Sequence, residues 1–319
     1  MRRTTFLAAI AAPILAATML AACSSSGSGG TGGGSTGANA DVTVTGAYGK
    51  TPTVKIPSTT AGTALTVKTL HQGSGTTVSS SGAFVANYVL YLWDGSTHKL
   101  VENTFTSAPQ LLDGTLLPGL TTALDGKPVG SRVLAIVPPA DGYGSTGNSQ
   151  EGITANDTMV FVVDLLGTFS NSESVPGTQT QAGAGLPTVT PANGAAPTIT
   201  IPSSAPPSKL TVKPLITGTG PAVAAGQMVV VQYSAVIWRT GKVFSSTWSG
   251  NAPTGFQVGV ETGGPIAGLN IGLVGQRVGS RVLLTIPPDE GYGPKGESSA
   301  GITGTDTLVF VVDILGVFG

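Results

Sequence analysis

Residues 279–318 read GSRVLLTIPPDEGYGPKGESSAGITGTDTLVFVVDILGVF, and residues 130–169 read GSRVLAIVPPADGYGSTGNSQEGITANDTMVFVVDLLGTF. The two stretches align without a gap at an offset of 149, and 25 of their 40 positions are identical. Upstream, Trp93 recurs as Trp238 at an offset of 145. Self-similarity over such a long period is typical of a duplicated domain and not of a solenoid. The chain of 319 residues therefore predicts one domain built twice, each copy long enough for its own core.

The first 22 residues have the pattern of a secretory signal peptide. Arg2 and Arg3 precede an apolar run from Phe6 to Met19, which is too short to span a membrane. The run leads into Leu-Ala-Ala-Cys23, which resembles the bacterial lipobox, and Cys23 is the sole cysteine. We expect Cys23 to be lipidated and to anchor an exported protein on the outer face of the membrane in the bacterial cell envelope. An ordinary signal peptide with an incidental thiol, and export by the twin-arginine route, remain alternatives.

Composition divides the rest of the chain into two domains and two connecting segments. Residues 23–60 begin with a run of Ser, Gly, Thr and Ala, and residues 170–207 are rich in Pro, Thr, Gly and Ala. Such segments bury too little apolar surface to offset the entropy of ordering, so we predict a flexible tether and a linker. The domains then cover residues 61–169 and 208–319. The sequences PTVKIP and PTITIP in the two connecting segments suggest that each repeat opens with an extended arm.

The apolar runs inside each copy are typical of antiparallel strands, because they are rich in β-branched and aromatic residues and are bounded by Gly, Pro and Asp. They occupy residues 84–93, 129–137 and 158–166 in the first copy, and 228–238, 278–286 and 307–315 in the second. One short helix per copy is predicted around residues 118–124 and 267–274, with its leucine face on the sheet. The predicted fold class is α+β, mostly antiparallel β.

The charged and titratable residues exclude several kinds of chemistry. A net charge of -1 with 10% charged residues offers no basic surface to a nucleic acid. His71 and His98 lie only in the first copy, so a duplicated metal site or catalytic triad lacks its histidine. Both GYG segments fit G-x-G-x-x-G, but a Pro-Pro pair precedes each and the following segment reads as a strand, unlike a dinucleotide-binding loop. We predict no metal site and no nucleic-acid partner.

The second copy resembles the FKBP-type peptidyl-prolyl cis-trans isomerases. The resemblance rests on ordered elements with the spacing of that family, namely VVVQY ending at Tyr233, GKVF ending at Phe244, PIAGL at 265–269, VGSRVLLTIPP at 278–288, GYG around Tyr292, and TLVF ending at Phe310. It extends over about 110 residues in each copy. The family implies, in each copy, a half-barrel antiparallel sheet wrapped around one short helix, with a shallow apolar pocket between them.

The resemblance also assigns two sets of pocket residues. The pocket of the second copy would be lined by Tyr233, Phe244, Phe256, Ile266, Leu269, Tyr292, Ile302 and Phe310. The pocket of the first copy would be lined by Tyr88, Val101, Leu111, Leu117, Leu120, Tyr143, Ile153 and Phe161. A tyrosine hydroxyl at 292 or 143 would hold the substrate carbonyl by a hydrogen bond, and the aromatic walls would hold the proline ring.

The implied function is peptidyl-prolyl cis-trans isomerisation without a cofactor, by a monomer that assists proline-containing unfolded or exported polypeptides. Where the family has an acidic residue and a floor Trp, the second copy has Ser245 and Leu269, and the first has Glu102 and Leu120. The first copy also has Val101 in place of the pocket Phe, so we expect the second domain to be the better catalyst. A non-catalytic chaperone or peptide-binding module of the same fold, and a structural envelope spacer, remain alternatives.

Overall fold

The computed structural model describes residues 38–112, 116–192, 194–250, 252–261 and 264–319. The signal peptide and the lipidation site at Cys23 that the sequence predicts lie outside these residues. Within them, two six-stranded sheets each carry one α-helix, and the strands pair antiparallel. The predicted α+β class with mostly antiparallel β structure is therefore confirmed. No helix in the described ranges is both long and apolar enough to cross a membrane.

The first sheet and the hairpin before it are built from the following elements in chain order: β1 (Thr43–Thr45), β2 (Thr53–Lys55), β3 (Thr66–His71), β4 (Ala83–Asp94), β5 (Thr97–Asn103), β6 (Gln110–Leu112), α1 (Pro118–Leu124), β7 (Arg132–Val137) and β8 (Thr158–Phe169). The strand order is β3-β7-β8-β4-β5, and β6 also pairs with β4. Short 3-10 helices lie at Ala38–Asp41, Thr104–Thr106, Pro139–Asp141 and Gly144–Thr146. Both β5 and β6 pair with β4, so the long strand β4 forms one side of the first sheet together with two short partners.

The second half repeats this plan with β9 (Thr188–Thr190), β10 (Thr198–Thr200), β11 (Thr211–Ile216), β12 (Met228–Ile237), β13 (Val243–Ser246), β14 (Thr254–Gln257), α2 (Ala267–Gly272), β15 (Arg281–Ile286) and β16 (Leu308–Phe318). The strand order is β11-β15-β16-β12-β13, and β14 also pairs with β12. Short 3-10 helices lie at Pro288–Glu290, Gly293–Lys295 and Ser298–Ala300. The strands and helices predicted from the sequence are present, although α2 ends at Gly272 and not at Val274.

Successive side chains of β12 point alternately to two faces of the sheet, and both faces are apolar. Val229, Val231 and Ala235 join the apolar cluster under α2. Met228 and Val230 belong to a different cluster, which lies between the two domains. Because successive side chains of a strand point to opposite faces, a strand covered on both faces is apolar at nearly every position. This explains the unbroken apolar run at the start of β12.

The first arm, which we define as residues 38–60, is ordered and packs on the first sheet. β1 and β2 form a hairpin, and the buried side chains of Val42 and Ile56 join a cluster with Trp93 and other residues of the sheet. The indole Nε1 of Trp93 donates a hydrogen bond to the carbonyl of Thr59 at 2.8 Å. The prediction of a flexible tether over residues 23–60 is therefore wrong for its described part. Its few apolar residues are enough to order it because they cover an existing apolar face of the sheet.

The second arm, which we define as residues 170–207, repeats this arrangement on the second sheet. β9 and β10 pair as a hairpin, and Val189, Ile199 and Ile201 pack in one cluster with Trp238. The Trp238 indole donates a hydrogen bond to the carbonyl of Ser204 at 3.3 Å. The segment predicted as a linker is therefore largely a structural part of the second domain, and the extended arms suggested by PTVKIP and PTITIP contain β2 and β10.

A buried ion pair joins each arm to its sheet. Arg132 Nε lies 2.6 Å from Asp164 Oδ1, and the two side chains are 2% and 0% exposed. The same arginine donates to the carbonyls of Gly46 and Lys50, and the amide of Gly49 donates to Asp164. The loop between β1 and β2 thereby satisfies the remaining polar atoms of the pair.

The second domain has the equivalent ion pair, with Arg281 Nε at 2.6 Å from Asp313 Oδ1. Here the second arm supplies the side-chain oxygen of Gln179 to the arginine and the amide of Val175 to the aspartate. Each pair is formed by residues directly opposite each other in neighbouring strands. A buried pair is tolerated when further hydrogen bonds complete its coordination, and each arm provides them.

The two domains pack against each other through equivalent surfaces. The domain interface consists of Val85, Leu111, Leu166 and Phe169 from the first domain and Met228, Val230, Leu315 and Phe318 from the second. A Cβ added at Gly167 would lie 2.6 Å from Phe318 Cζ, and one at Gly316 would lie 2.9 Å from Phe169 Cζ. Each phenylalanine thus occupies the space above the glycine of the other copy. This reciprocal contact has the form of an isologous interface within one chain.

Candidate functional site

The predicted pocket residues of the second domain come from six elements and meet on the face of the sheet that carries α2. Tyr233, Phe244, Phe256, Ile266, Leu269, Ile302 and Phe310 belong to one apolar cluster. Tyr292 lies outside the cluster and is 37% exposed, at the start of the 3-10 helix Gly293–Lys295. The structure therefore brings seven of the eight residues together and leaves Tyr292 more exposed than they are.

The ring of Phe310 lies at the centre of the aromatic part of this pocket. Its centroid is 5.7 Å from that of Tyr233 at an interplanar angle of 46°, and 5.8 Å from that of Phe244 at 83°. Tilted and edge-to-face arrangements at these distances are the ones that aromatic rings favour. Phe310 is buried in β16, whereas Tyr233 and Phe244 are half-buried, so the three rings form a wall with one solvent-facing side.

The floor of the pocket is formed by α2, which begins directly after Ile266. Leu269 points into the apolar cluster at the position where the family carries its floor Trp. A Cβ added at Gly268 would lie 2.5 Å from a side-chain atom of Ile286. Glycine at this position therefore allows the helix to approach β15 closely, which holds Leu269 beneath the aromatic wall.

The first domain has the same pocket with a smaller wall. Tyr88, Leu120, Ile153 and Phe161 are buried in one cluster, and Val101, Leu117 and Tyr143 pack against it. The rings of Tyr88 and Phe161 have centroids 6.3 Å apart. In the strand register, Val101 and Phe244 are the bulged residues at equivalent places in β5 and β13. The first pocket therefore has a valine where the second has its third ring.

The prediction of Leu111 as a pocket residue is wrong by one position. Leu112 pairs with Phe84 as Phe256 pairs with Val229, and Leu112 is 8% exposed within the pocket cluster. Leu111 belongs to the domain interface instead. A shift of one residue in a strand moves a side chain to the opposite face. The segments before β6 and β14 differ in length, so the offset of 145 that holds in β4 and β12 no longer applies there.

The buried tyrosine of each wall has a different hydroxyl partner in the two domains. Tyr88 donates to Oε2 of Glu102 at 2.7 Å, and the hydroxyls of Tyr233 and Ser245 are 2.8 Å apart. The backbone amide of Tyr88 donates to the hydroxyl of Thr104, and the backbone amide of Tyr233 donates to the hydroxyl of Thr247. These shared bonds fix the tyrosine in the same place, so the chemical difference lies in the acid at position 102.

Burial raises the pKa of three pocket side chains, those of Tyr88, Glu102 and Tyr292. Desolvation raises the pKa of Tyr88, and the carboxylate of Glu102 raises it further. Desolvation also raises the pKa of Glu102 itself, against the hydrogen bond from Tyr88, which lowers it. At the rim of the second pocket, desolvation followed by the charge of Glu297 raises the pKa of Tyr292. Tyr88 and Tyr292 therefore keep their protons at neutral pH and can act as hydrogen-bond donors.

Comparison with known proteins gives the same assignment as the pocket geometry. A family model described as FKBP-type peptidyl-prolyl cis-trans isomerase matches residues 75–166 and 220–315. The chain belongs to this family. Its two FKBP-type domains are each preceded by an arm that lies outside the matched residues.

Two bacterial relatives illustrate the similarity. The FK506-binding protein of Streptomyces anulatus is 38% identical over 116 residues, which are 36% of this chain and 92% of the relative. The probable FK506-binding protein of Corynebacterium glutamicum is 37% identical over 115 residues, again 36% of this chain and 92% of the relative. Among solved structures, FkpA from Escherichia coli is 31% identical over 34% of this chain and 48% of that chain, with a TM-score of 0.31.

Sequence reasoning missed the buried Arg-Asp pairs of the two FKBP-type domains. Their signal is present in the repeated GSRVL and VFVVD segments, where a charged residue stands in an otherwise apolar strand. A charge in such a position needs a partner, because an unpaired buried charge is costly. In the described ranges, no group of three or more His, Cys, Asp and Glu side chains is arranged to hold a metal ion.

Proposed function

We propose that this protein is a peptidyl-prolyl cis-trans isomerase that assists the folding of exported polypeptides at the cell envelope. The observation that carries the proposal is the aromatic wall of the second pocket. Tyr233, Phe244 and Phe310 surround an apolar surface above Leu269, and Tyr292 stands at its open edge. A proline ring is small, apolar and flat enough to lie against such a wall, so the pocket suits an X-Pro segment.

The reaction needs no nucleophile. Rotation about an X-Pro bond has a barrier of ~18–20 kcal/mol because twisting removes the amide resonance. The twisted amide is less polar than the planar amide, so it loses less by leaving water. A pocket that replaces water with apolar and aromatic side chains therefore favours the transition state over the ground state. The shallow apolar surface around Phe310 supplies this environment.

In this proposal, Tyr292 orients the substrate. Its hydroxyl makes no hydrogen bond to any described residue, and its raised pKa keeps it protonated. It can therefore donate to a carbonyl of the bound segment, which would fix the X-Pro bond over the pocket. Tyr143 occupies the equivalent position in the first domain and packs against that pocket.

The second domain is proposed as the more active of the two. Its wall has three rings, whereas Val101 leaves the first wall with Tyr88 and Phe161. A smaller wall covers less of the proline ring and excludes less water. The first domain would then bind proline segments and turn them over more slowly.

A protease-coupled assay on proline tetrapeptides tests the activity, with the mature full-length chain at increasing concentration. We expect a rate that rises in proportion to the protein and that falls in Tyr292→Phe, because the hydroxyl is lost while the ring remains. Circular dichroism verifies that both proteins are folded. A wild-type rate equal to the uncatalysed rate would overturn the proposal in favour of a non-catalytic binding module. Suppression of client aggregation by that inactive protein would identify it as a chaperone.

The envelope location rests on the sequence around Cys23. To test this location, cells that express the chain are grown in medium that contains a labelled fatty acid. Cys23→Ser is the matched control. We expect label in the wild-type chain, recovery in the membrane fraction, and loss of both in Cys23→Ser. An unlabelled wild-type chain that is secreted in soluble form would overturn the lipid anchor and leave the isomerase proposal standing.

A further inference from the structure

The pockets of the two domains differ in charge as well as in size. The first pocket has the carboxyl groups of Glu102 and Glu151, and the equivalent positions of the second have Ser245 and Ala300. The match of Glu102 with Ser245 follows from their register opposite Leu90 and Ala235. The match of Glu151 with Ala300 follows from the ungapped repeat. These two positions are therefore acidic in the first domain only, whereas the second pocket has Glu297 at its rim, where the first has Asn148.

Glu102 lies inside the first pocket. It is half-buried in β5, directly after Val101, and its Oε2 accepts the hydrogen bond of Tyr88, which is only 3% exposed. A single hydroxyl donor leaves most of the acceptor capacity of a carboxylate unused. The remaining oxygen can therefore accept further hydrogen bonds from a bound segment.

Glu151 lies on a turn beside the same pocket. It belongs to the tight turn closed by two backbone hydrogen bonds between Asn148 and Ile153, and Ile153 is part of the pocket cluster. Its charge raises the pKa of both Tyr88 and Glu102, which is consistent with a carboxyl group close to them. A second carboxyl group thus lies near Glu102, on the turn that holds the pocket residue Ile153.

Neither glutamate has a cationic partner in the described part of the chain. The ion pairs found there are those of Asp164, Asp306 and Asp313. A half-buried carboxylate without a countercharge is unfavourable, and this cost is relieved when a cation binds beside it. The buried Arg-Asp pairs of the two domains show how this fold neutralises a buried acid elsewhere. The first pocket lacks that neutralisation until a ligand supplies it.

We propose that Glu102 and Glu151 make the first domain selective for proline segments that carry lysine or arginine beside the proline, whereas the second domain takes segments with apolar neighbours. The inference rests on the proposed function, because it assigns substrate classes to its two pockets. The aliphatic stem of a lysine or arginine packs on apolar surface while its charged end meets the carboxylates. Hydrogen bonds between charged groups are stronger than those between neutral groups. The first domain would therefore bind a segment with lysine or arginine beside the proline more tightly than one with an uncharged residue there.

The test is peptide binding to the mature full-length chain, measured by fluorescence anisotropy with labelled peptides that differ only before the proline, as Lys-Pro, Leu-Pro or Glu-Pro. We expect Glu102→Gln combined with Glu151→Gln to weaken Lys-Pro binding by about tenfold relative to Leu-Pro binding. Asp41→Asn removes an exposed acid of the first arm and should change neither. The wild-type preference for Lys-Pro should decline as salt is added.

Equal binding of Lys-Pro and Leu-Pro peptides by the wild-type chain would overturn the inference, as would loss of both in the glutamine variant. The converse variant, Ser245→Glu with Ala300→Glu, should create a second Lys-Pro site in the second domain. Because the readout is binding, it is independent of turnover. A chain that prefers Lys-Pro without accelerating isomerisation would contradict the proposed enzyme activity while supporting the charge selection.

Discussion

Phe169 and Phe318 occupy equivalent positions in the two copies and meet edge to face, with ring centroids 6.1 Å apart and an interplanar angle of 85°. Around them, the side chains of Val85 and Val230 are fully buried. Asn171 of the second arm adds a polar link, because its carbonyl accepts from the side-chain amide of Gln232 at 2.8 Å and its own side-chain amide donates to the carbonyl of Ser81 in the first domain at 2.7 Å. The two FKBP-type domains therefore share a packed apolar contact in addition to the chain that joins them.

Replacing Phe169 by Ala should destabilise the protein and separate the unfolding of its domains. Removal of a buried aromatic side chain from a packed core costs about 3–5 kcal/mol, and here it also opens the contact with Phe318. Differential scanning calorimetry should then resolve two transitions in place of a more cooperative one. Val243→Ala, at an exposed position of β13, is the control and should change stability by less than about 0.5 kcal/mol. An unchanged calorimetric profile in Phe169→Ala would show that the interface contributes little.

Replacing Arg281 by Met should be strongly destabilising because it leaves Asp313 buried without a countercharge. Loss of one partner of a buried pair costs about 3–5 kcal/mol. Urea unfolding at neutral pH measures the change. The double variant Arg281→Met, Asp313→Leu removes both charges and should recover most of the loss. A double variant no more stable than the single one would mean that the hydrogen bonds to the second arm, and not the charge, determine the stability.

The ion pair of Arg239 and Asp306 should make the second domain sensitive to acid. Hydrogen bonds from Arg239 at 2.8 and 3.0 Å, followed by those from the amide and hydroxyl of Thr303, lower the pKa of Asp306 from 3.8 to about 2. A folded-state pKa below the unfolded value adds stability that is present above about pH 4 and is lost as the pH falls towards 2. Arg239→Ala should therefore be less stable than wild type at pH 5, and the difference should narrow between pH 4 and 2. Urea unfolding at each pH measures it.

The first domain offers an internal comparison for that prediction. Asp157 is the counterpart of Asp306 and also accepts a bond from a backbone amide, that of Thr154. In the first domain, Asp94 follows Trp93, whereas in the second domain Arg239 follows the equivalent Trp238. Asp94→Ala should therefore not reproduce the pH-dependent difference. If the difference in the free energy of unfolding between wild type and Arg239→Ala stayed constant from pH 5 to 2, the assigned pKa of Asp306 would be contradicted.

Replacing Phe244 by Val should give the second pocket the wall of the first. We expect the kcat/KM of the full-length chain on proline tetrapeptides to fall by about tenfold, since loss of apolar contact in a pocket costs roughly that factor or more. The reverse change, Val101→Phe, should raise the rate, because it completes the ring set of the first pocket. A chain whose activity is unaffected by Phe244→Val would assign catalysis to the first domain.

The sequence predicted the three most apolar strands and the helix of each copy because their apolar runs and Pro or Gly boundaries are local features, and it did not predict the three other strands of each sheet. It also matched Val101 with Phe244 correctly, since the bulge that positions them is present in both copies. The position of Leu111 could not be read in the same way. A three-residue strand after a segment of variable length has no pattern of its own, and only its pairing with β4 shows which leucine faces the pocket.

The ordered packing of the arms on the sheets was not predicted, for a different reason. Their composition is that of a flexible segment, and their order comes from long-range contacts with Trp93, Trp238 and the two buried ion pairs. Local composition contains no information about an uncovered sheet face elsewhere in the chain. The same limit applies to the ion pairs, whose partners are 32 residues apart and meet only through strand register.

The reciprocal fit of each phenylalanine over the glycine of the other copy restricts how the two halves can diverge. A side chain larger than hydrogen at 167 collides with the ring of Phe318, 151 residues later in the chain, and one at 316 collides with the ring of Phe169, 147 residues earlier. Substitutions at these four sites are therefore coupled across the duplication, whereas the pocket sites of one copy change without a counterpart in the other. The domain interface is therefore symmetric between the copies, although Val101 and Phe244 make the two pockets differ.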